Sequence, residues 1–152
     1  MPSSRMNLRH PKKRGEWAEM RFMVRAAEHG ITVSKPWGDS SCYDFASEYD
    51  GNFYRVQVKS TSLKIYESYS CHVNTGNGAR YVENQIDFLA AYIVPLDLWY
   101  IVPAQVGVNN HCVIILSPHL PDSKHARYRE AWHLLKAKRR PEEVLFAQPG
   151  IE

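Results

Sequence analysis

Asp44, Gln57 and Lys59 are the residues of this chain whose types and spacing can do chemistry together. In the run Tyr54-Arg55-Val56-Gln57-Val58-Lys59 a strand alternates its side chains, so Tyr54, Val56 and Val58 share one face and Arg55, Gln57 and Lys59 the other. The dipeptide Asp50-Gly51 between runs 42–49 and 52–60 is a strong signal for a two-residue type I′ turn. Such a turn sets Tyr49 opposite Asn52 and Asp44 opposite Gln57, with Cβ atoms roughly 4.5–5.5 Å apart. Lys59 is the next residue on that face, one diagonal step away. A slip of one residue would send the set to the other face. Turn chemistry alone therefore predicts a carboxylate, an amide and an ammonium on one patch.

A second source of carboxylates is the segment 15–30, which reads as a helix ended by Gly30. Trp17, Ala18, Met20, Phe22, Met23, Val24, Ala26 and Ala27 sweep a wide apolar arc, with Arg21, Arg25, Glu28 and His29 on the wet side. Glu16 and Glu19 fall inside the arc, where a carboxylate is costly unless something meets it. Glu16 can serve the helix dipole from the first turn. Glu19 lies past that turn and calls for a cation or a basic partner. An Asp, a Glu, a backbone carbonyl of the Gln-Val-Lys strand and waters form an all-oxygen set. That set suits Mg²⁺, which takes one or two carboxylates and keeps several waters. A metal-bound water can attack a phosphodiester in line, with Lys59 orienting it or stabilising the developing charge.

The elements that must position these residues fit one domain. The chain has 152 residues, 44% hydrophobic and 23% charged, which is globular composition. No apolar run approaches the roughly 20 residues of a membrane span, and the basic N-terminus lacks the apolar core of a secretory signal. Three cysteines (Cys42, Cys71, Cys112) without CxxC spacing argue against a disulfide framework or structural zinc and fit a reducing cytoplasm. Besides the hairpin strands, short strands are expected at 31–33, 88–94, 98–102 and 112–116. A stretch at 63–73 can extend the sheet, a helical turn is expected at 81–85, and an amphipathic helix at 123–139 stops before Pro141. The expected layout is a basic flexible arm over 1–14, one domain over 15–140 and a tail over 141–152. The class is α/β or α+β with a mixed sheet.

Net charge is +3, but it is unevenly spread. Residues 1–14 hold five basic residues and no acid, 124–140 hold seven and one acid, and 15–123 hold seven against twelve acids. An acidic centre between basic ends fits a cation site framed by segments that grip a polyanion.

With these residues in place, the pattern Gly15-x-x-x-Glu19, then Tyr43-Asp44, then Gln57-Val58-Lys59 resembles the PD-(D/E)xK nuclease superfamily over about 15–103. Within it the chain is most similar to the small endonucleases associated with group I introns, and next to archaeal Holliday-junction resolvases. The segment Ile86-Asp87-Phe88-Leu89-Ala90-Ala91-Tyr92, followed by Trp99-Tyr100-Ile101-Val102-Pro103, strengthens the first likeness. The resemblance implies a restriction-endonuclease-like αβββαβ core and Mg²⁺-dependent hydrolysis of DNA, with Mn²⁺ as a substitute. It implies Asp44 as main metal ligand, Lys59 as catalytic lysine and Glu19 as the helix carboxylate of the metal shell. Gln57 stands where the family carries a second acid; its amide oxygen can ligate metal, and Val58 offers its carbonyl. Tyr43 replaces the proline before the motif aspartate.

Other residues are candidates for DNA contact: Arg9, Lys12, Lys13 and Arg14 in the arm, Ser60 and Thr61 after the catalytic strand, and Arg80 after a Gly-Asn-Gly loop. For Ser60 and Thr61 the competing reading is capping of nearby backbone. The seven histidines have no zinc spacing. Trp99 and Tyr100 read as core, and Asp87 as a cap or a partner of the site. The expected activity is a homing or restriction-like DNA endonuclease of the cytoplasm, off the membrane and assembled as a dimer or tetramer, since one small domain presents one active site. The alternatives are a Holliday-junction resolvase or a non-catalytic DNA-binding module on a nuclease fold.

Overall fold

The structure, a computed structural model, describes residues 9–74, 85–108 and 112–139. Helix α1 (Pro11–Glu28) leads into β1 (Thr32–Ser34), β2 (Phe45–Tyr49), β3 (Asn52–Thr61), β4 (Lys64–Ile65) and β5 (Ser68–His72). Then come β6 (Phe88–Ile93), β7 (Leu98–Pro103), the short α2 (Ala104–Gly107) and β8 (Val113–Leu116). A five-stranded mixed sheet has the order β1-β2-β3-β6-β7, and a three-stranded sheet has the order β4-β5-β8. The architecture is α+β with a mixed central sheet, restriction-endonuclease-like as expected.

The central hairpin follows its turn. Asp50 and Gly51 both adopt left-handed backbone, at φ 50° and 77°, so a type I′ turn joins β2 and β3. The register pairs Tyr49 with Asn52 and Phe45 with Val56. Beyond it β3 runs parallel to β6, from Val56 beside Phe88 to Thr61 beside Ile93.

Period two on the central strands builds a core on each face. Tyr54, Val56, Val58, Ala90, Tyr92, Trp99 and Ile101 pack under α1 through Ala18, Phe22 and Ala26. Leu89, Ala91, Ile93, Tyr100 and Val102 pack instead against Tyr69, Cys71, Ile114 and Leu116 of the small sheet. The molecule is thus layered: helix, large sheet, small sheet.

Several expectations are corrected. Helix α1 begins at Pro11, so Lys12, Lys13 and Arg14 form its first turn and not an arm; proline is pre-organised for the first helical position. Its buried stripe is narrow, with Met20 and Val24 about half exposed. Glu16 is likewise exposed. Arg21 and Arg25, expected in water, reach Asp97 in the β6–β7 turn at 2.7 and 3.4 Å. The 63–73 stretch does not widen the large sheet; it turns away as β4 and β5 to found the small one.

The helix expected over 123–139 is replaced by two 3-10 turns, Ala126–Tyr128 and Trp132–Lys136. Glu130 between them is left-handed at φ 47°. Its backbone N–H donates to the Trp99 carbonyl, and its carboxylate accepts from the Trp99 amide and the Trp132 indole. These bonds to the open side of β7 displace helical hydrogen bonding and cover a sheet edge. Parts of the expected turn at 81–85, the loop at 74–78 and the tail, together with Arg80, lie outside the described residues. Among the described residues no helix is long and apolar enough to cross a membrane.

Candidate active site

Strand β2 stops at Phe45 while β3 continues to Thr61, so the large sheet has a notch beside residues 57–59. Asp44 occupies the notch. Its backbone N–H donates to the Val56 carbonyl at 3.0 Å. Its Oδ2 accepts from the Val58 amide at 2.8 Å and from Gln57 Nε2 at 2.9 Å. The carboxylate stands in for the missing strand. Alternation along β3 turns the Val58 carbonyl to the same edge.

Three charged side chains converge on this carboxylate from different elements. Glu19 comes from α1, Lys59 from β3, and Lys35 from the residue after β1. Burial raises the Asp44 pKa; the Val58 hydrogen bond lowers it, Glu19 raises it, and Lys59 and Lys35 lower it, for a net rise to about 6. Neither Glu19 nor Lys59 bonds Asp44 directly. Among the described residues the Lys59 ammonium forms no hydrogen bond or ion pair, which leaves it available to a substrate.

Lys35 was not singled out by sequence. Its Nζ lies 2.7 Å from Glu19 Oε2 and 4.9 Å from the centre of the Phe45 ring. It is the basic partner that the position of Glu19 called for. The register of β1 on β2, Ser34 beside Ala46, carries Lys35 to the notch. A short strand running into the loop before Asp44 was the one available signal.

The other expected contacts sort differently. Thr61 is buried, and its hydroxyl donates to the Ser70 carbonyl at 2.6 Å while accepting from the Leu63 amide at 3.1 Å. It caps backbone and, contrary to expectation, is not turned out towards DNA. Ser60 is half-buried beside Lys59, Arg9, Lys12 and Lys13 are exposed, and Arg14 is half-buried. Asp87 binds no cation site; its carboxylate accepts from the Arg55 amide at 2.7 Å and from the Arg55 and Arg139 guanidiniums. Arg139 also donates to the Phe53 carbonyl at 2.8 Å and covers the Tyr54 ring at 4.7 Å. It fastens the C-terminal segment to the hairpin and is not free to grip phosphate. Trp99 and Tyr100 are core, as expected.

The donor set fits a hard divalent cation. Asp44 and Glu19 offer carboxylates, and the Val58 carbonyl offers a neutral oxygen. The raised pKa of Asp44 reflects its burial first and the nearby Glu19 charge second, and a bound cation would offset both. As it stands, Gln57 turns its NH₂ to Asp44, and rotation of the amide would present its oxygen. Among the described residues no group of three or more His, Cys, Asp or Glu could hold a metal, so a cation here would retain several waters.

Three comparisons place this geometry among known proteins. No curated protein sequence matches the chain. A solved structure of a bacterial homing endonuclease, I-Ssp6803I, superposes with a TM-score of 0.66 at 31% identity, over 82% of this chain and 90% of that one. The Holliday-junction resolvase Hjc of the archaeal hyperthermophile Archaeoglobus fulgidus superposes with a TM-score of 0.53 at 14% identity, over 84% of this chain and 99% of that one, a likeness of fold alone. Residues 9–135 match the family model described as PD-(D/E)XK endonuclease. The chain belongs to the PD-(D/E)XK endonuclease family.

Proposed function

We propose that this nuclease is a Mg²⁺-dependent endonuclease that hydrolyses DNA phosphodiester bonds, homing or restriction-like in role and active as a homo-oligomer in the cytoplasm. The observation that carries this reading is the Asp44 carboxylate, held in the sheet notch by the Val58 amide, with Lys59 close enough to act on its charge and without a hydrogen bond or ion pair among the described residues. Asp44, Glu19 and the Val58 carbonyl would hold the cation, with Gln57 completing the set after its amide turns. When bound, Mg²⁺ supplies charge neutralisation and an acidified water. Lys59 directs its ammonium at the attacked phosphate, where it stabilises the negative charge that develops. The Val58 and Gln57 hydrogen bonds fix the Asp44 oxygen before substrate arrives. A second copy would be needed to cut the opposite strand.

Supercoiled plasmid with Mg²⁺ or Mn²⁺ tests the reading. Wild type should nick or linearise it, and Asp44→Ala and Lys59→Ala should lose at least a hundredfold in rate. Cleavage unchanged in both variants refutes the assignment.

A second reading has its own motive. Gln57 is neutral and donates to Asp44, which suits a non-catalytic DNA- or junction-binding module. Calorimetric titration with Mg²⁺ and Mn²⁺ separates the two: DNA binding without metal binding favours the module.

A further inference from the structure

We propose that Trp37 contacts a nucleobase next to the phosphate that enters the notch, its indole stacking on the base or wedging beside it; this rests on the DNA-nuclease reading. Trp37 is 99% exposed. Trp99 and Trp132 are buried and Trp17 packs on Tyr92. No ring or cation contact engages Trp37 among the described residues. An indole of this area left wholly in water adds nothing to the fold.

Its place in the chain points to DNA. Trp37 is two residues from Lys35, whose ammonium is at Glu19, so the two Cα atoms are at most about 7 Å apart. Bases along one strand are spaced by about 3.4 Å, so the bases within a few steps of a phosphate in the notch are the partners that this position in the chain offers the indole. The segment is prepared for this. Pro36 fixes its own φ, Gly38 turns the chain at φ 79°, and Lys35 ties the near end to α1. An aromatic presented on a constrained loop loses little entropy on contact. Stacking needs no particular base, since every base has a π-face.

The test uses the full chain without divalent metal and a fluorescein-labelled random-sequence duplex with one unpaired 2-aminopurine. Wild type, Trp37→Ala and Trp37→Phe are compared at two salt concentrations. Trp37→Ala should weaken binding about tenfold, leave the salt slope unchanged because no phosphate contact is lost, and abolish the quenching of 2-aminopurine seen with wild type. Trp37→Phe should keep most of both. Equal thermal melts are expected, because the side chain packs on nothing. Binding of Trp37→Ala within twofold of wild type, with quenching intact, overturns the proposal. So does a changed oligomeric state in sedimentation, which would make the indole a contact between copies. If wild type binds and cleaves DNA and Trp37→Ala matches it, Trp37 alone is misassigned. If wild type binds no DNA at low salt, the nuclease reading falls and this one with it.

Discussion

Lys35 Nζ stands 2.7 Å from Glu19 Oε2, so the helix carboxylate nearest the notch already holds a positive charge. The side chain of Lys35 is about half exposed, which keeps the pair in a water-like dielectric. A solvent-exposed ion pair of this kind is worth up to about 1 kcal/mol. Lys35→Ala should therefore tighten Mg²⁺ binding about fivefold in calorimetry. Unchanged or weaker binding would mean that Glu19 does not serve the cation.

Gln57→Glu restores the second acid but sets a carboxylate where an amide now donates to Asp44 at 2.9 Å. Without divalent cation, the lost hydrogen bond and the added repulsion should cost about 1–3 kcal/mol. Mg²⁺ should recover most of it, so the rise in melting temperature on adding Mg²⁺ should exceed that of wild type. A variant as stable as wild type in EDTA would show that residue 57 does not face Asp44.

Asp87 offers a pH test. Burial raises its pKa, but hydrogen bonds from Arg55 and Arg139 outweigh that and hold it below the ordinary carboxylate value. A depressed folded-state pKa contributes stability above the unfolded value, near 3.9, and loses it as pH falls through the folded value. Asp87→Asn should cost about 2–4 kcal/mol at pH 7. In urea denaturation that gap should begin to shrink below about pH 4, where the unfolded wild-type chain takes up the proton, and close as pH falls through the depressed folded-state value. A gap that stays constant down to pH 3 would remove the clamp from the stability of the hairpin.

Salt should discriminate among the basic residues. Lys12→Ala and Lys13→Ala should each reduce the salt slope of DNA binding by about 1 if they neutralise phosphates. Arg139→Ala should lower stability and leave that slope alone, because its guanidinium is held by Asp87 and the Phe53 carbonyl. A slope that falls with Arg139→Ala would show the clamp opening onto DNA.

The hairpin was legible because its information is local. Asp50-Gly51 fixes a turn, the turn fixes a register, and the register leads to Asp44 and Gln57 without knowledge of the rest of the molecule. The buried strands 88–94 and 98–102 were legible for a similar reason, since apolar runs need no partner to be recognised. Lys35 was not, because its role depends on a strand of three residues, β1, lying against β2. The 123–139 segment has helical periodicity, but Glu130 found better hydrogen bonds on Trp99 than a helix offers it. Tertiary bonds of that kind override propensity and leave no local trace. Thr61 shows the same limit: a hydroxyl two residues after Lys59 reads equally as a phosphate contact and as the cap it is.

The bond pattern at Glu130 bears on assembly. With Trp99 occupied on both its amide and its carbonyl, a foreign strand could dock along β7 only by prising that segment loose. Among the described strands, molecules that join by lengthening a sheet must do so elsewhere: along β1, or at β4 or β8 of the smaller sheet, where Ile65, Val113 and Ile115 are partly exposed.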